Sequence, residues 1–265
     1  MQPALFVSHG APSLVMEPGP SRNFLCELGP KIEQQFGRPR AILCISAHWN
    51  SATPLVAATA KPDTIHDFYG FPEALYRLRY EAPGAPEMAG RSVALLEAAG
   101  IKAATDPDRG LDHGAWAPLL LMWPDADIPV AQLSVQPGLD AAHHWAIGRA
   151  LAPLRREGIL VLASGGVVHN LRSLSRGGQG GGTPEWASGF TAWLAEKLAA
   201  EDLPALLDWR RAAPHADLAQ PTDEHFLPFF VALGAGGDKP KAKRLYAGFD
   251  HGSLGMDAYV FPGGA

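Results

Sequence analysis

Four continuous apolar runs, each bounded by turn-forming residues, constrain the fold of this chain more than any other feature. They are rich in Val, Ile and Leu and cover Ala4–Ser8, Ala41–Ala47, Pro129–Val135 and Gly158–Ser164. A run that is apolar throughout, rather than at every second residue, is typical of a strand covered on both faces. The runs therefore predict the buried strands of a largely parallel sheet.

Helical patterns separate these runs. They cover Ser21–Phe36, Pro86–Ala99, Asp140–Arg156 and Pro184–Ala200. Ser21 and Asp140 are predicted N-caps, because their short polar side chains accept hydrogen bonds from the first turn of a helix. Strands that alternate with helices predict an α/β fold with right-handed crossovers.

Towards the C-terminus, Lys243–Phe249 and Ser253–Phe261 predict two more strands around a Gly-rich turn, which would form an antiparallel edge. Gly177–Thr183 is a low-complexity stretch that predicts a surface loop, since no phosphate-binding pattern surrounds it. No internal repeat or linker divides the chain. We therefore expect a single domain over residues 1–265.

Composition excludes several classes of function. The net charge is -5 and no Lys/Arg cluster is present, which argues against binding nucleic acid or an anionic membrane. The N-terminal segment has no positively charged region and only a short apolar run, so we expect no signal peptide. No apolar stretch approaches the roughly 18 residues of a spanning helix. With only two cysteines, the chain is expected to be cytoplasmic.

Histidines follow three of the predicted strands. His9 comes directly after the first strand, His48 after the second, and His169 five residues beyond the last. The carboxyl ends of parallel strands meet at one edge of the sheet, and this edge is where ligands bind. Neutral imidazole is a good ligand for Zn, Fe, Cu and Ni. The pattern predicts a metal site at this edge.

His225 is a further candidate ligand. It opens a predicted helix, His225–Ala235, and Thr222 or Asp223 is the expected cap. We predict that His9, His48 and His225 meet around one metal ion. Any one of these histidines alone would more often be a structural residue. Three of them at the same edge of the sheet favour a metal site over structural roles.

Two further histidines allow two interpretations each. His113 follows Asp112 and precedes Gly114, which suits an acid/base group; alternatively, Asp112 only caps the next helix and His113 is exposed. His66 lies in the aromatic-rich segment Thr64–Pro72, which suits the wall of a site for a planar ligand or a lid over the core.

Short strings along the chain resemble those of a known family. In order they are His9–Pro12, Ser46–Trp49, Thr64–Pro72, Leu111–Gly114, Ser164–Gly166, Val168–Leu171 and Pro221–His225. Together they resemble the class III extradiol ring-cleaving dioxygenases, in particular the 4,5-DOPA dioxygenase-like branch. Each string alone is weak, but their shared order and spacing extend the likeness over nearly the whole chain.

The resemblance implies a fold and a set of site residues. The fold would be an α/β sandwich around a mixed, largely parallel central sheet with helices on both faces. His9, His48 and His225 match metal ligands. His169 matches the catalytic base, which lies within ligand distance of the metal in zinc-loaded members, and His113 matches a second active-site histidine. More distant members use two histidines and a carboxylate, which makes Glu224 the alternative to His225.

The implied reaction is the O₂-dependent opening of the ring of a catechol-type, DOPA-like substrate. One divalent metal ion per chain is expected: Fe(2+) for turnover, because Zn(2+) has no accessible redox step, with Zn(2+) plausible in the isolated protein. His66, Tyr69 and Phe71 would surround the ring. The partners would be a small phenolic substrate and O₂, with no nucleic acid or membrane, and the chain would be a monomer or small homo-oligomer.

Two other functions remain open from the sequence. A zinc-dependent hydrolase would use the same histidines to activate water, with Glu224 or Asp112 as the base. A non-enzymatic metal-binding relative would keep the fold and the ligands, although it would not need His169 and His113.

Overall fold

A mixed eight-stranded sheet forms the centre of the molecule. The computed structural model describes residues 1–174, 182–238 and 240–263. The strands of the large sheet are β1 (Ala4–Ser8), β2 (Ala41–Asn50), β3 (Leu55–Ala57), β4 (Ala104–Asp106), β5 (Val130–Val135), β6 (Ile159–Gly165), β7 (Lys243–Tyr246) and β10 (Ala258–Phe261), and a two-stranded sheet holds β8 (Phe249–Asp250) and β9 (Leu254–Gly255).

The order across the large sheet is β4-β3-β5-β2-β6-β1-β10-β7. The four central strands β5, β2, β6 and β1 are parallel to one another. β3 pairs antiparallel with β5, and β10 pairs antiparallel with both β1 and β7. The predicted mixed, largely parallel sheet is confirmed. The predicted antiparallel edge is present, since β10 and β7 are the last two strands at one end of the sheet and pair antiparallel; β10 is the inner of the two, between β1 and β7.

The helices fall between the strands as the alternation predicts. They are α1 (Pro20–Phe36), α2 (Glu73–Tyr76), α3 (Pro86–Ala98), α4 (His113–Met122), α5 (Ala141–Leu151), α6 (Glu185–Ala199), α7 (Leu203–Leu207), α8 (Trp209–Ala212), α9 (Ala216–Ala219) and α10 (Leu227–Ala235). None of the helices in the described part of the chain is both long and apolar enough to cross a membrane.

Two apolar cores lie on the two faces of the sheet. Leu160 and Leu162 of β6 pack in the core that α1 and α4 cover, whereas Val161 and Ala163 pack in the core that α3, α5, α6 and α10 cover. Successive residues of a strand point to opposite faces, so a strand buried on both must be apolar throughout. This explains the continuous runs in the sequence.

Several boundaries differ from the predictions. β2 continues to Asn50, so His48 lies within the last three residues of the strand rather than after it. Ser21 does not cap α1; Gly19 holds that position, and the Ser21 hydroxyl donates to Asp250 instead. Asp140 does cap α5, but the helix ends at Leu151 and continues as a 3-10 helix.

The predicted helix from His225 begins two residues later, at Leu227. No side chain caps it: the Asp223 carbonyl oxygen, and not a Thr222 or Asp223 side chain, accepts from the Phe226 and Leu227 amides. The predicted Gly177–Thr183 loop lies mostly outside the described residues.

Candidate active site

Three imidazoles converge at the carboxyl edge of the central strands. His9 follows β1, His48 lies near the end of β2, and His225 lies in the turn before α10. His48 Nε2 is 3.1 Å from His9 Nε2 and 3.2 Å from His225 Nε2. Residues that are far apart in sequence meet here because β1 and β2 both flank β6 with parallel orientation.

The opposite nitrogens of these rings contact protein acceptors. His9 Nδ1 lies 3.0 Å from Ser164 Oγ. That hydroxyl gives its single proton to the Gly114 carbonyl oxygen, so it must accept from His9. His225 Nδ1 lies 3.0 Å from Glu224 Oε1, which also acts as an acceptor. Both rings therefore carry their proton on Nδ1, and their Nε2 lone pairs are directed towards His48 Nε2.

Asp67 is the acceptor that faces Nδ1 of His48. Its Oδ2 lies 3.5 Å from His48 Nδ1, while its Oδ1 accepts from the backbone N–H and Nδ1 of His113, both at 2.9 Å. Burial opposes ionisation of Asp67, but hydrogen bonds and charge interactions with His113 and His48 outweigh it and lower its pKa to about 2. The carboxylate is thus ionised and draws the histidine protons towards Nδ1.

Burial keeps the converging imidazoles neutral. It lowers the pKa of His9 and His225 well below 6.5, and the neighbouring histidines lower both further. The same two causes, with His113 as the main neighbour, lower the pKa of His48 to about 3. Neutral imidazole is the form that binds metal, since a protonated ring has no free lone pair.

The donor set fits a divalent cation. Metal–nitrogen bonds of 2.0–2.1 Å that diverge by 90–110° separate the nitrogens by about 2.8 to 3.4 Å. The two Nε2–Nε2 distances, 3.1 and 3.2 Å, lie within that range. The ring nitrogens of His9, His48 and His225 all lie within 4.8 Å of one another. These residues form a group able to hold one metal ion.

His169 stands beside this group. It follows β6, and its ring stacks on His225 with the centroids 3.3 Å apart and the planes 9° apart. One ring nitrogen lies within 4.8 Å of a Glu224 oxygen and a His225 nitrogen, but not of the His9 and His48 nitrogens together. Burial is the main cause that lowers its pKa, to about 4, which leaves the ring neutral near pH 7.

His113 begins α4 and is buried, with 5% of its surface exposed. Asp112 caps this helix by accepting from the Ala115 amide. The two interpretations were therefore not exclusive: Asp112 is the cap, and His113 nevertheless faces the cavity beside His48, with the ring centroids 3.9 Å apart.

Asp112 also braces the strand that carries His48. The Ser46 hydroxyl donates to Asp112 Oδ1 at 2.6 Å and accepts from the His48 amide at 3.2 Å. Arg109 pairs with Asp112 Oδ2 at 2.7 Å, which compensates the buried charge. A fully buried carboxylate with these partners is not placed to act as the base of a hydrolase.

Two glycines permit the close packing of these segments. Gly10, directly after His9, has a φ of +67°, which favours glycine. At Gly165, at the end of β6, a Cβ atom would lie 2.1 Å from the His225 carbonyl oxygen. The backbone of β6 and the turn bearing His225 can approach this closely only because Gly165 has no side chain.

A cavity of about 770 Å³ opens above the imidazoles. Tyr69, Phe71 and Phe68 line it. The rings of Phe68 and His113 are nearly perpendicular, with their centroids 5.6 Å apart. His66 does not line the cavity; its Nε2 lies 3.1 Å from the Leu78 carbonyl oxygen and its ring packs near Trp116. The expected contact of His66 with substrate is therefore not supported.

Comparison with known proteins places this site in a family. Residues 3–262 match the model of the catalytic LigB subunit of aromatic ring-opening dioxygenase. The chain belongs to this family. The match covers both the central strands and the histidines at their ends, so the resemblance seen in the short strings is confirmed.

Relatives of this LigB-family chain agree with the assignment. A 4,5-DOPA dioxygenase extradiol from Portulaca grandiflora is 44% identical over 261 residues, covering 97% of this chain and 95% of the relative. A protein of the same name from Escherichia coli K12 is 41% identical, covering 96% and 92%. The LigB-family chain is an extradiol ring-cleaving enzyme.

A solved structure confirms the fold of this family member. The crystal structure of an uncharacterized protein from Escherichia coli K12 superposes with a TM-score of 0.81 at 35% identity. The alignment covers 98% of this chain and 100% of the other. The single α/β domain is thus the fold of a LigB-family dioxygenase.

Sequence reasoning missed the residues that hold the histidines of this LigB-family enzyme. Ser164 and Asp67 lay inside the quoted strings, but nothing in the strings says which imidazole each contacts. Glu224 was considered only as a ligand or a base, and it accepts from His225 instead. A carboxylate or hydroxyl near a suspected metal-binding histidine was the signal available.

Proposed function

We propose that this chain is a metal-dependent extradiol dioxygenase that opens the ring of a catechol-type, DOPA-like substrate with O₂. The observation that supports this most is the convergence of three neutral Nε2 atoms whose Nδ1 protons are directed outwards. A structural histidine normally satisfies both ring nitrogens within the protein, whereas a metal-binding one leaves a lone pair for the ion.

We assign His9, His48 and His225 as the ligands of one divalent ion. Fe(2+) is the metal expected for turnover, because when bound it supplies electron transfer between the substrate oxygens and O₂, which Zn(2+) does not. Zn(2+) remains plausible in the isolated protein, since tetrahedral nitrogen sites suit it. Three protein ligands leave positions open for substrate.

His169 is proposed as the base that accepts a proton from a substrate hydroxyl. Its lowered pKa keeps the ring unprotonated at neutral pH, and it lies at the cavity wall against His225. It lies outside the group formed by His9, His48 and His225, although it forms a second candidate metal group with Glu224 and His225. A base must be deprotonated before it can take the proton.

His113 is proposed to contact the substrate oxygens from the other side of His48. Its Nδ1–H donates to Asp67, which fixes the ring and leaves Nε2 as the nitrogen available to the substrate. In this tautomer Nε2 is an acceptor, so it would first take a proton from a substrate hydroxyl, and the proton gained is the one it could then donate to an oxygen of the opening ring. Tyr69 and Phe71, together with Phe68, would contact the faces of the ring.

The experiment that tests this proposal is anaerobic loading with Fe(2+), followed by DOPA and then O₂. We expect a yellow ring-fission chromophore, the uptake of about one O₂ per ring opened, and a muconic semialdehyde-type acid that carries both oxygen atoms. Protein loaded with Zn(2+) is the matched control and should give neither signal. Failure of both signals across a panel of catechols would contradict the proposal.

Other attributes belong to the same proposal. The partners are a small phenolic substrate and O₂, the chain works as a monomer or small homo-oligomer, and its location is cytoplasmic, as its charge and cysteine content suggest. Gel filtration and fractionation of the source cells test these two attributes.

A further inference from the structure

The cavity is far larger than the ring that the reaction needs. A cavity of roughly 150 Å³ is enough to hold benzene, whereas this one measures about 770 Å³. The surplus volume lies in the range of sites that bind larger ligands with a few placed polar groups. The substrate therefore has room for a substituent, and the groups that line the cavity indicate its chemistry.

Charge is unevenly distributed over the cavity wall. Among the described residues that line it, Arg172 is the one Lys or Arg, and Glu224 is the one Asp or Glu. Glu224 Oε1 is already engaged by the Thr222 hydroxyl and His225 Nδ1. Apart from the metal ion proposed for the histidine group, the positive charge on the cavity wall is that of Arg172.

The turn that bears Arg172 is anchored to the protein. Asn170 Oδ1 accepts from the Arg172 amide at 3.1 Å, and Asn170 Nδ2 donates to the Leu218 carbonyl oxygen at 2.8 Å. The preceding His169 amide donates to the Ala219 carbonyl oxygen at 2.8 Å. Within the described part of the chain, the hydrogen bond that Arg172 makes comes from its backbone. Among the described residues, none accepts a hydrogen bond from its guanidinium, so that group can contact a ligand.

We infer that Arg172 binds the carboxylate of a ring substituent and selects catechols that carry an acidic side chain. The inference rests on the proposed ring-opening function, and it assigns a residue to the selection among catechols. A planar guanidinium pairs with a carboxylate through two parallel, charge-assisted hydrogen bonds. An ammonium group cannot accept them, and a neutral ester accepts them without the charge that strengthens them. Arg172 is a substrate-binding residue remote from the reacting carbons.

Such a contact is equal in the ground state and the transition state, so its loss raises KM and leaves kcat nearly unchanged. The Fe(2+)-loaded enzyme is assayed with 3-(3,4-dihydroxyphenyl)propanoate, with its neutral methyl ester, and with dopamine. Arg172→Gln is expected to lower kcat/KM for the propanoate by about 10- to 100-fold, the range for a hydrogen-bonded charge. It should change the value for the ester by less than about 2-fold.

Arg172→Glu sharpens the test because it reverses the charge. This variant should prefer dopamine to the propanoate, the opposite of the wild-type order. Arg156→Gln is the matched control: Arg156 is also exposed, but it precedes β6 at the opposite edge of the sheet. It should retain the wild-type order of substrates.

Binding to the Zn(2+)-loaded protein, measured by calorimetry, keeps this inference separable from the proposed function. If no catechol is opened but the propanoate still binds more tightly than the ester, and only Arg172→Gln removes the difference, the ring-opening proposal is wrong and the role of Arg172 stands. If rings are opened and the ratio of kcat/KM for propanoate and ester is the same in Arg172→Gln as in the wild type, the proposed role of Arg172 is wrong.

Discussion

Two groups of histidines lie at or beyond the carboxyl ends of the parallel strands. One contains His9, His48 and His225, and the other is centred on His144, in the first turn of α5 after β5. Burial lowers the pKa in both groups, to about 4 for His144. Burial and pKa therefore do not distinguish a candidate metal site from a structural histidine.

The hydrogen bonds do distinguish them. His144 Nδ1 donates to the Asp140 carbonyl oxygen at 2.8 Å, and its Nε2 accepts from the Gln136 amide at 3.1 Å. Both nitrogens are satisfied by backbone groups. In the first group, by contrast, the contacts of the three Nε2 atoms within the described residues are with one another. The lesson is to account for both nitrogens of each buried imidazole before assigning it a function.

Removal of one imidazole from each group should give the largest difference in metal content between two variants. His48→Ala should lose stoichiometric metal and lower ring-opening activity by about three orders of magnitude or more, because two nitrogens no longer hold the ion. His144→Gln should keep its metal. Elemental analysis of both folded variants checks this, with circular dichroism as the control for folding. A His48→Ala variant that still binds one metal ion tightly would contradict the assignment.

A variant of His169, which lies beside the first group, tests whether this histidine is a base or a fourth metal ligand. His169→Gln should lower kcat by about 100- to 10,000-fold, the usual contribution of a positioned base, while metal content stays near one per chain. Stopped-flow kinetics together with elemental analysis separate the two roles. Loss of the metal along with activity would make His169 a fourth ligand rather than the base.

Acid titration should reveal the structural histidine by its proton linkage. The pKa of His144 is about 4 in the folded chain and 6.5 in the unfolded one. The unfolded state therefore binds more protons below pH 6.5, and the contribution of His144 to stability, complete above that pH, is lost as the pH falls towards 4.

Urea unfolding of the apo protein between pH 7 and 4.5 measures this loss. The free energy of unfolding of the wild type, relative to His144→Gln, should fall by about 2 to 3 kcal/mol over that range. The other buried histidines contribute equally to both proteins and cancel in the difference. A difference that does not vary with pH would mean that His144 is not held neutral.

The sequence predicted the elements whose signal is local. The apolar runs of β1, β2, β5 and β6 predicted both the strands and the edge of the sheet at which the histidines meet. Strands of two or three residues, such as β3 and β8, carry no periodicity and were not predicted. The position of β10 inside the sheet depends on pairing with β1, more than 200 residues away, which no local pattern encodes.

The same limit separates the predicted ligands from the residues that orient them. His9 was found because it follows a strand, but its partner Ser164 lies on β6 and meets it only after the sheet has formed. In the loop before α2, the sequence could not tell which aromatic side chains face the cavity. Tyr69 and Phe71 do, whereas His66 turns towards the Leu78 carbonyl oxygen.

The smallest expected effect tests the proton positions on which the contrast between the two groups depends. Ser164→Ala removes the acceptor of the His9 Nδ1 proton, so the ring is no longer fixed with its Nε2 lone pair directed inwards. Metal affinity should fall by about 10- to 100-fold, as is typical when such a partner is lost. Competition with a chelator of known affinity measures it.

Ser134→Ala provides the matched control for the chelator competition with Ser164→Ala. Ser134 is a buried serine whose hydroxyl lies 2.6 Å from Ser51 Oγ and 3.3 Å from the side chain of Gln136, the residue whose amide contacts His144. Its loss should leave metal affinity within about 2-fold of the wild type, because it orients none of the proposed ligands. If both variants bind metal equally well, the His9 ring is oriented by something other than Ser164. The assignment of the His9 proton to Nδ1, which leaves Nε2 free for a metal ion as the Nε2 of His144 is not, would then lose its support.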